Sequence, residues 1–252
     1  MSDFEAAWRS WRDAREERLR SARGWLAITA IHWLNDVPQR FDDVPGEWSG
    51  GGSAATVRLG DDEVLAVGDE HLTTGVHLFT ELDEDGLEVA FGDAVAEVAD
   101  RDGTPIVRPR HAGSPNLAGY RGTPCYPPDP RWILPARYEP YAAPDGDAVG
   151  EVVLSYEGAE HRLVAWVGDD DGSLWILFRD ATSGITTYGA CRQLLTEPPA
   201  ADGTLTLDLN RAYNLPCAYT DFATCPVAPV SNTFPFAVEA GEQLPSFSRP
   251  GA

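Results

Sequence analysis

The residues best suited to chemistry lie in the last third of the chain. There DATSGITTYGACR (Asp180 to Arg192) and LDLNRAYNLPCAYTDFATCPVAP (Leu207 to Pro229) crowd carboxylates, amides, tyrosines and two cysteines between strand-like runs. A guanidinium can hold an anionic group in a planar fork, a carboxylate can move a proton, and tyrosine and asparagine can orient a ligand by hydrogen bonds. Arg192, with Asp208 or Glu242 to handle protons, is therefore the candidate catalytic set. Asp180, Tyr188, Asn210, Tyr213, Asn214 and Asn232 are the candidate ligand-binding set.

The same residues have plainer readings. Ser183 is not in a G-x-S-x-G elbow, and a triad would have to recruit His111 or His161 from outside the block. Cys217 and Cys225 are separated by seven residues, wider than the ligand pairs typical of structural zinc, so no metal site is assigned and no cofactor is specified. The cysteines can equally be buried thiols or a local pair bracing the loop, and Arg192 with Asp208 can be a buried ion pair.

The elements that must position these groups read mostly as strands. SLWILFRD runs into Asp-Ala-Thr-Ser-Gly, whose polar side chains bond nearby backbone and whose Gly184 accepts a positive φ. A tight hairpin is expected, with Thr186, Tyr188, Ala190 and Arg192 on one face of the returning strand. Asp208 and Asn210 share a face of the next strand, so pairing of the two strands would bring the polar groups together. From about Ala54 short alternating or apolar runs follow one another between Gly, Asp and Pro, which predicts a mainly β fold, a two-sheet sandwich or partly closed barrel. Before it, Phe4, Trp8 and Trp11 recur at helical spacing behind a Ser2 or Asp3 cap, and GWLAITAIHWL (Gly24 to Leu34) predicts a second helix, giving an N-terminal helical pair within 1–35. Residues 211–234 lack a period yet are too aromatic for disorder, and are expected to form a long ordered loop roofing a pocket.

Composition bounds the setting. Forty acidic residues face nineteen basic ones, all arginine, for a formal charge of −21. Such self-repulsion is screened over only about 3 Å in molar salt, against about 10 Å at 0.1 M. Adaptation to a saline interior is the expectation, and thermal unfolding should occur at a lower temperature in dilute buffer than in molar KCl; equal midpoints would refute it. The same charge argues against nucleic-acid partners, which need clustered cations. With no signal-like start and no apolar run near the ~18 residues that span a bilayer, a soluble cytoplasmic protein without membrane partners is expected. Length fits a single domain over 1–252.

GWLAITAIHWL, TPIVRPR, GYRGTPCYPPDPRW, FRDATSGITTYGACR, LDLNRAYNLPCAYTDFATCP and VEAGE together resemble the domain-of-unknown-function family numbered 1684. The resemblance covers most of the chain and keeps the polar positions of the family pattern, including Asp180, Thr182, Arg192, Asp208, Asn210, Asn214, Cys217, Cys225, Asn232 and Glu242. Leu209, Leu215, Val227 with Ala228, Cys125 and Gln243 depart from it. No reaction is established for that family. Two readings follow: a polar small-molecule pocket near the C-terminal motifs, enzymatic in a hydrolase-like manner, or a non-catalytic ligand-binding or interaction module whose polar cluster serves structure only.

Overall fold

The first helix, Asp3–Arg20, opens with a reciprocal cap: Glu5 N–H donates to Ser2 Oγ at 3.2 Å and Ser2 N–H to Glu5 Oε2 at 2.9 Å. It ends at Arg20, and Gly24 lets the chain pass close over its last turn, where an added Cβ would lie 2.4 Å from the carbonyl oxygen of Arg18 and 2.9 Å from that of Leu19. The computed structural model describes residues 2–168 and 171–247. It is mainly β, with one sheet curled into a half-barrel.

The second expected helix is reduced to a single 3-10 turn, Trp25–Ala27, after which the chain extends. Ile28 bridges Arg110, and His32–Trp33 pairs antiparallel with Val107 and Ile106. Thr29 N–H donates to Pro109 O at 3.0 Å and Leu34 N–H to Pro105 O at 2.9 Å. Periodicity alone does not separate a short apolar helix from a buried strand, and here the open edge of Thr104–Arg110 decides it.

The chain packs as two units. One takes in residues 17–120 and 220–223 among the described residues. Its four-stranded sheet is ordered Gln39–Phe41, Val44–Gly50, Ala55–Leu59, Gly75–Phe79. Its six-stranded sheet is ordered His32–Trp33, Thr104–Arg110, Ala94–Arg101, Leu87–Phe91, Leu65–Val67, Glu70–Leu72. Inward residues of both sheets, among them Trp48, Val57, Leu65, Val89, Val98 and Val107, form one apolar core, the arrangement of a two-sheet sandwich. A buried carboxylate interrupts the second sheet. Glu97 lies directly across from Arg108 and accepts from it at 2.7, 2.8 and 3.1 Å, from Arg110 at 2.8 Å and from Arg101, while Trp25 covers the Arg108 and Arg110 guanidiniums.

The other unit comprises residues 2–16, 121–219 and 224–247. Its antiparallel seven-stranded sheet is ordered Thr204–Asp208, Ile133–Asp145, Ala148–Tyr156, Ala159–Val167, Leu174–Phe178, Arg192–Leu195, Tyr213–Asn214. Trp132, Val152, Leu163, Ile176, Phe178, Leu207, Phe234 and Val238 fill its concave core. The tight hairpin expected after Phe178 is a wide loop instead: Phe178 pairs with Arg192, and the segment between them is irregular. Gly184 does take the positive φ expected of it, +81°.

Candidate functional site

Strand order decides which polar residues meet. Arg192 begins the strand next to Tyr213–Asn214 at one end of the seven-stranded sheet, and Asp208 ends the strand at the other. The predicted convergence of Arg192 with Asp208 and Asn210 therefore does not occur. Their two strands do not pair.

Arg192 has no exposed surface, and its partner is Asp180, at 2.7 Å from Nη2. Nη2 also donates to Val238 O at 3.0 Å, and Nη1 donates to Ala240 O and, at 3.4 Å, to Glu242 O. Only Nε–H is left without a partner among the described residues. The guanidinium lies over the Phe178 ring, with Cζ 5.2 Å from its centroid. Burial pulls the Arg192 pKa down, and Asp180 works against that. The other Asp180 oxygen accepts from Thr182 N–H at 2.7 Å, Thr182 Oγ1–H at 2.6 Å and Val238 N–H at 3.2 Å. This carboxylate closes its own turn on one side and neutralises Arg192 on the other.

Glu242 is the second hub. It accepts from Arg15 Nε at 3.2 Å, Asn214 N–H at 2.7 Å and the Tyr219 hydroxyl at 2.9 Å. Burial and the adjacent Glu242 charge hold the Tyr219 hydroxyl well above its usual pKa, so it stays a donor. Burial opposes the Arg15 charge, but Glu242 outweighs it and the Arg15 pKa is raised. Arg15 Nη2 also donates to Asn214 O at 3.0 Å, and the Arg15 guanidinium sits 4.6 Å from the Tyr213 ring centroid. Asn214 is fully buried and its Nδ2 donates to Gln243 O at 2.8 Å.

The other two asparagines act as surrogate backbone. Asn210 Oδ1 accepts from Asp129 N–H at 2.9 Å and its Nδ2 donates to Asp129 O at 3.0 Å, as a neighbouring strand would. Asp208 braces that amide, accepting from Nδ2 at 2.9 Å, and meets Arg211 at 3.3 Å. Asn232 does the same where two strands diverge: it accepts from Val164 N–H at 2.8 Å, donates to Val164 O at 2.9 Å and donates to Leu177 O at 2.8 Å. The strands bearing Val164 and Leu177 pair directly only at Trp166 with Trp175 and Val167 with Leu174, so the Asn232 amide fills the gap beyond.

Ser183 Oγ accepts from Asp180 N–H at 3.1 Å as a turn group. His161 packs edge-on against Phe234 and Phe236, and His111 bonds Asp43 O in the other unit. Tyr188 donates its hydroxyl to Cys217 O at 3.0 Å, half-buried at the edge of the cysteine-bearing segment.

Sequence reasoning passed over a cavity of about 590 Å³ in the sandwich unit. Phe41, Phe91 and Val64 line it together with Asp42, Asp43, Asp62, Glu63 and Asp93. The one arginine lining it, Arg40, is held in a forked pair by Glu63 at 2.7 and 3.1 Å, and Asp42, Asp62 and Asp93 make no ion pair with an arginine among the described residues. Asp43 is tied to His32 at 2.7 Å and Thr29 at 3.0 Å. Burial works against the Asp43 charge, yet these bonds keep its pKa below the ordinary carboxylate value. The signal available in sequence was FDD at 41–43, DDE at 61–63 and FGD at 91–93, each an acidic turn beside an aromatic or apolar strand end.

The fold and its buried polar hubs define a mainly β protein cross-linked internally by side chains acting as backbone partners. The chain belongs to the family described as "Protein of unknown function (DUF1684)", whose model matches residues 118–243. A similar solved structure is the solution NMR structure of the uncharacterized protein from gene locus rrnAC0354 of Haloarcula marismortui. It is 31% identical, the match covers 49% of this chain and 76% of that one, and the TM-score is 0.43. No curated protein matches the chain. Among the described residues no helix is long and apolar enough to cross a membrane.

Proposed function

We propose that the chain is a non-catalytic small-molecule-binding module in which the C-terminal polar cluster serves structure and the ligand is a small organic cation. The observation that carries this reading is the saturation of Arg192: both terminal nitrogens are filled by Asp180 and by the carbonyls of Val238, Ala240 and Glu242. A substrate anion could reach this arginine only by displacing bonds that hold the unit together. Asp208, Asn210, Asn232 and Glu242 are likewise committed to chain groups, which leaves the two predicted roles, anion binding and proton transfer, without free atoms to perform them.

The sandwich cavity has what a cation needs. Its volume falls in the ~300–1,000 Å³ range of small-molecule sites, and it joins aromatic faces to carboxylates, the two features that attract an organic ammonium. Titration of the labelled full chain with tetramethylammonium, followed by amide NMR, is expected to move resonances of residues 40–45 and 91–94. Asp42→Asn and Asp93→Asn, both at exposed positions, should each weaken that binding about two- to fivefold, the worth of one partly screened charge. Shifts confined to residues 180–192, 208–214 and 242, or turnover abolished by Asp208→Asn in a folded chain, would restore the enzymatic reading instead.

A further inference from the structure

The polar hubs leave three sulfurs unused. Cys217 lies in the 3-10 turn Pro216–Ala218, and its N–H donates to Cys225 Sγ at 3.1 Å. That contact sets the Cys225 thiol beside the Cys217 side chain, and the Tyr188 hydroxyl, which donates to Cys217 O at 3.0 Å, stands on the same residue. Leu177, Leu215, Ala228 and buried Cys191 pack behind the pair, which is itself half-exposed. All four cysteines are thiols.

We propose that Cys217 and Cys225 form a redox-active dithiol that low-molecular-weight disulfides convert to an intramolecular disulfide. The Cys217 thiolate attacks one sulfur of the disulfide RSSR, forming a mixed disulfide and expelling RS⁻, which takes up a proton from water. Cys225 then gives its proton to water and attacks Cys217 Sγ. The Cys217–Cys225 bond forms, and the second RS⁻ leaves and is protonated in turn. The protein pair loses two electrons and RSSR becomes two RSH.

The surroundings assign the order of events. The hydrogen bond from Cys225, aided by Tyr188, lowers the Cys217 pKa to about 6 against the opposing effect of burial, so Cys217 is the attacking thiolate at neutral pH. The same hydrogen bond is the main cause that holds Cys225 protonated, with burial second. Capping Cys217 as a mixed disulfide removes that acceptor charge and frees Cys225 for the second step. The remaining cysteines are kept out: burial and Glu242 push Cys125 up to about 12, and burial raises Cys191.

The test treats the native full chain with oxidised glutathione, quenches with acid, alkylates with iodoacetamide and maps the peptides. Cys217 and Cys225 share the one tryptic peptide that begins at Ala212 and runs past Arg249, since no basic residue falls between Arg211 and Arg249 and Pro250 blocks cleavage after Arg249. That peptide is expected two hydrogens lighter and unalkylated at both cysteines, with Cys125 and Cys191 still alkylated. Cys225→Ser should accumulate glutathione on Cys217, and Cys217→Ser should leave Cys225 unmodified. In the untreated native protein Cys217 should alkylate at least about tenfold faster than Cys125 at pH 7, following their thiolate fractions. Its rate should rise through a midpoint near 6, set by Cys225 and Tyr188 beside it and Cys191 behind. Absence of the bridged peptide from the native chain, or equal glutathione uptake at Cys125 and Cys217, would overturn the proposal.

Discussion

Arg192→Met is expected to lower the unfolding free energy of the half-barrel unit by ~3–5 kcal/mol, the usual cost of leaving one member of a buried ion pair without its partner. A domain is stable by only about 5–15 kcal/mol, so this variant should unfold at a much reduced urea concentration. The loss has two parts. Asp180 keeps donors on one oxygen, from Thr182 and Val238, but its other oxygen stays buried with no counter-charge. The carbonyls of Val238 and Ala240 lose their donor as well. Arg192→Lys should recover only part of the loss, because an ammonium cannot span Asp180 and three carbonyls as a planar fork does. Arg192→Met with Asp180→Leu should recover more than Arg192→Met alone, since an apolar pair leaves no charge stranded. Urea titration with tryptophan fluorescence compares all three with the parent chain. An Arg192→Met chain with an unchanged midpoint would remove the structural role assigned to the pair.

Glu97→Gln should destabilise the sandwich unit on a similar scale, ~3–5 kcal/mol, for the inverse reason. Three guanidiniums converge on one carboxylate, and amidation leaves Arg101, Arg108 and Arg110 facing one another. Arg108 is the most deeply buried of the three, with a side chain 3% exposed. Because the cluster is shielded from water, molar KCl should restore little of the loss, whereas it should help the protein against its overall charge. Adding Arg108→Met to Glu97→Gln should recover part of the stability. Urea midpoints of the variants in dilute buffer and in molar KCl provide the check, and full rescue by salt would show that the cluster behaves as a surface network.

Most of the strand content was legible because it depends on local pattern: Ala55–Leu59, Leu87–Phe91 and Thr104–Arg110 fall where alternation or apolar runs placed them. The turn at Asp180 was legible for the same reason, since an aspartate bonding the N–H two residues on is a property of four or five residues. What local pattern does not encode is which strands become neighbours. Arg192 and Asp208 lie sixteen positions apart and look like partners, yet four strands separate theirs in the sheet, and the true partner of Arg192 sits at the start of its own loop. Asn210 and Asn232 resemble ligand-binding amides until the gaps they fill in the backbone pairing are known. Glu97 hides in an apolar run, AVAEVA, and gains meaning only from the register that sets it opposite Arg108. The acidic turns of the cavity were hidden by the opposite effect, for in a chain this acidic they look like ordinary solvated loops.

The N-terminal helix is seated by contacts that span nearly the whole sequence. Trp8 donates to Asn210 O across 202 positions and Arg15 to Glu242 across 227. During synthesis the partners of Trp8 and Arg15 arrive long after the helix itself, Asn210 and Asn214 first and Glu242 last. The face that carries Trp8 and Arg15 therefore waits, while the sandwich strands between residues 32 and 110 can already pair. Long-range closure of this kind slows folding. The helix is thus made well before the residues that fasten it and is among the last elements to be locked in place.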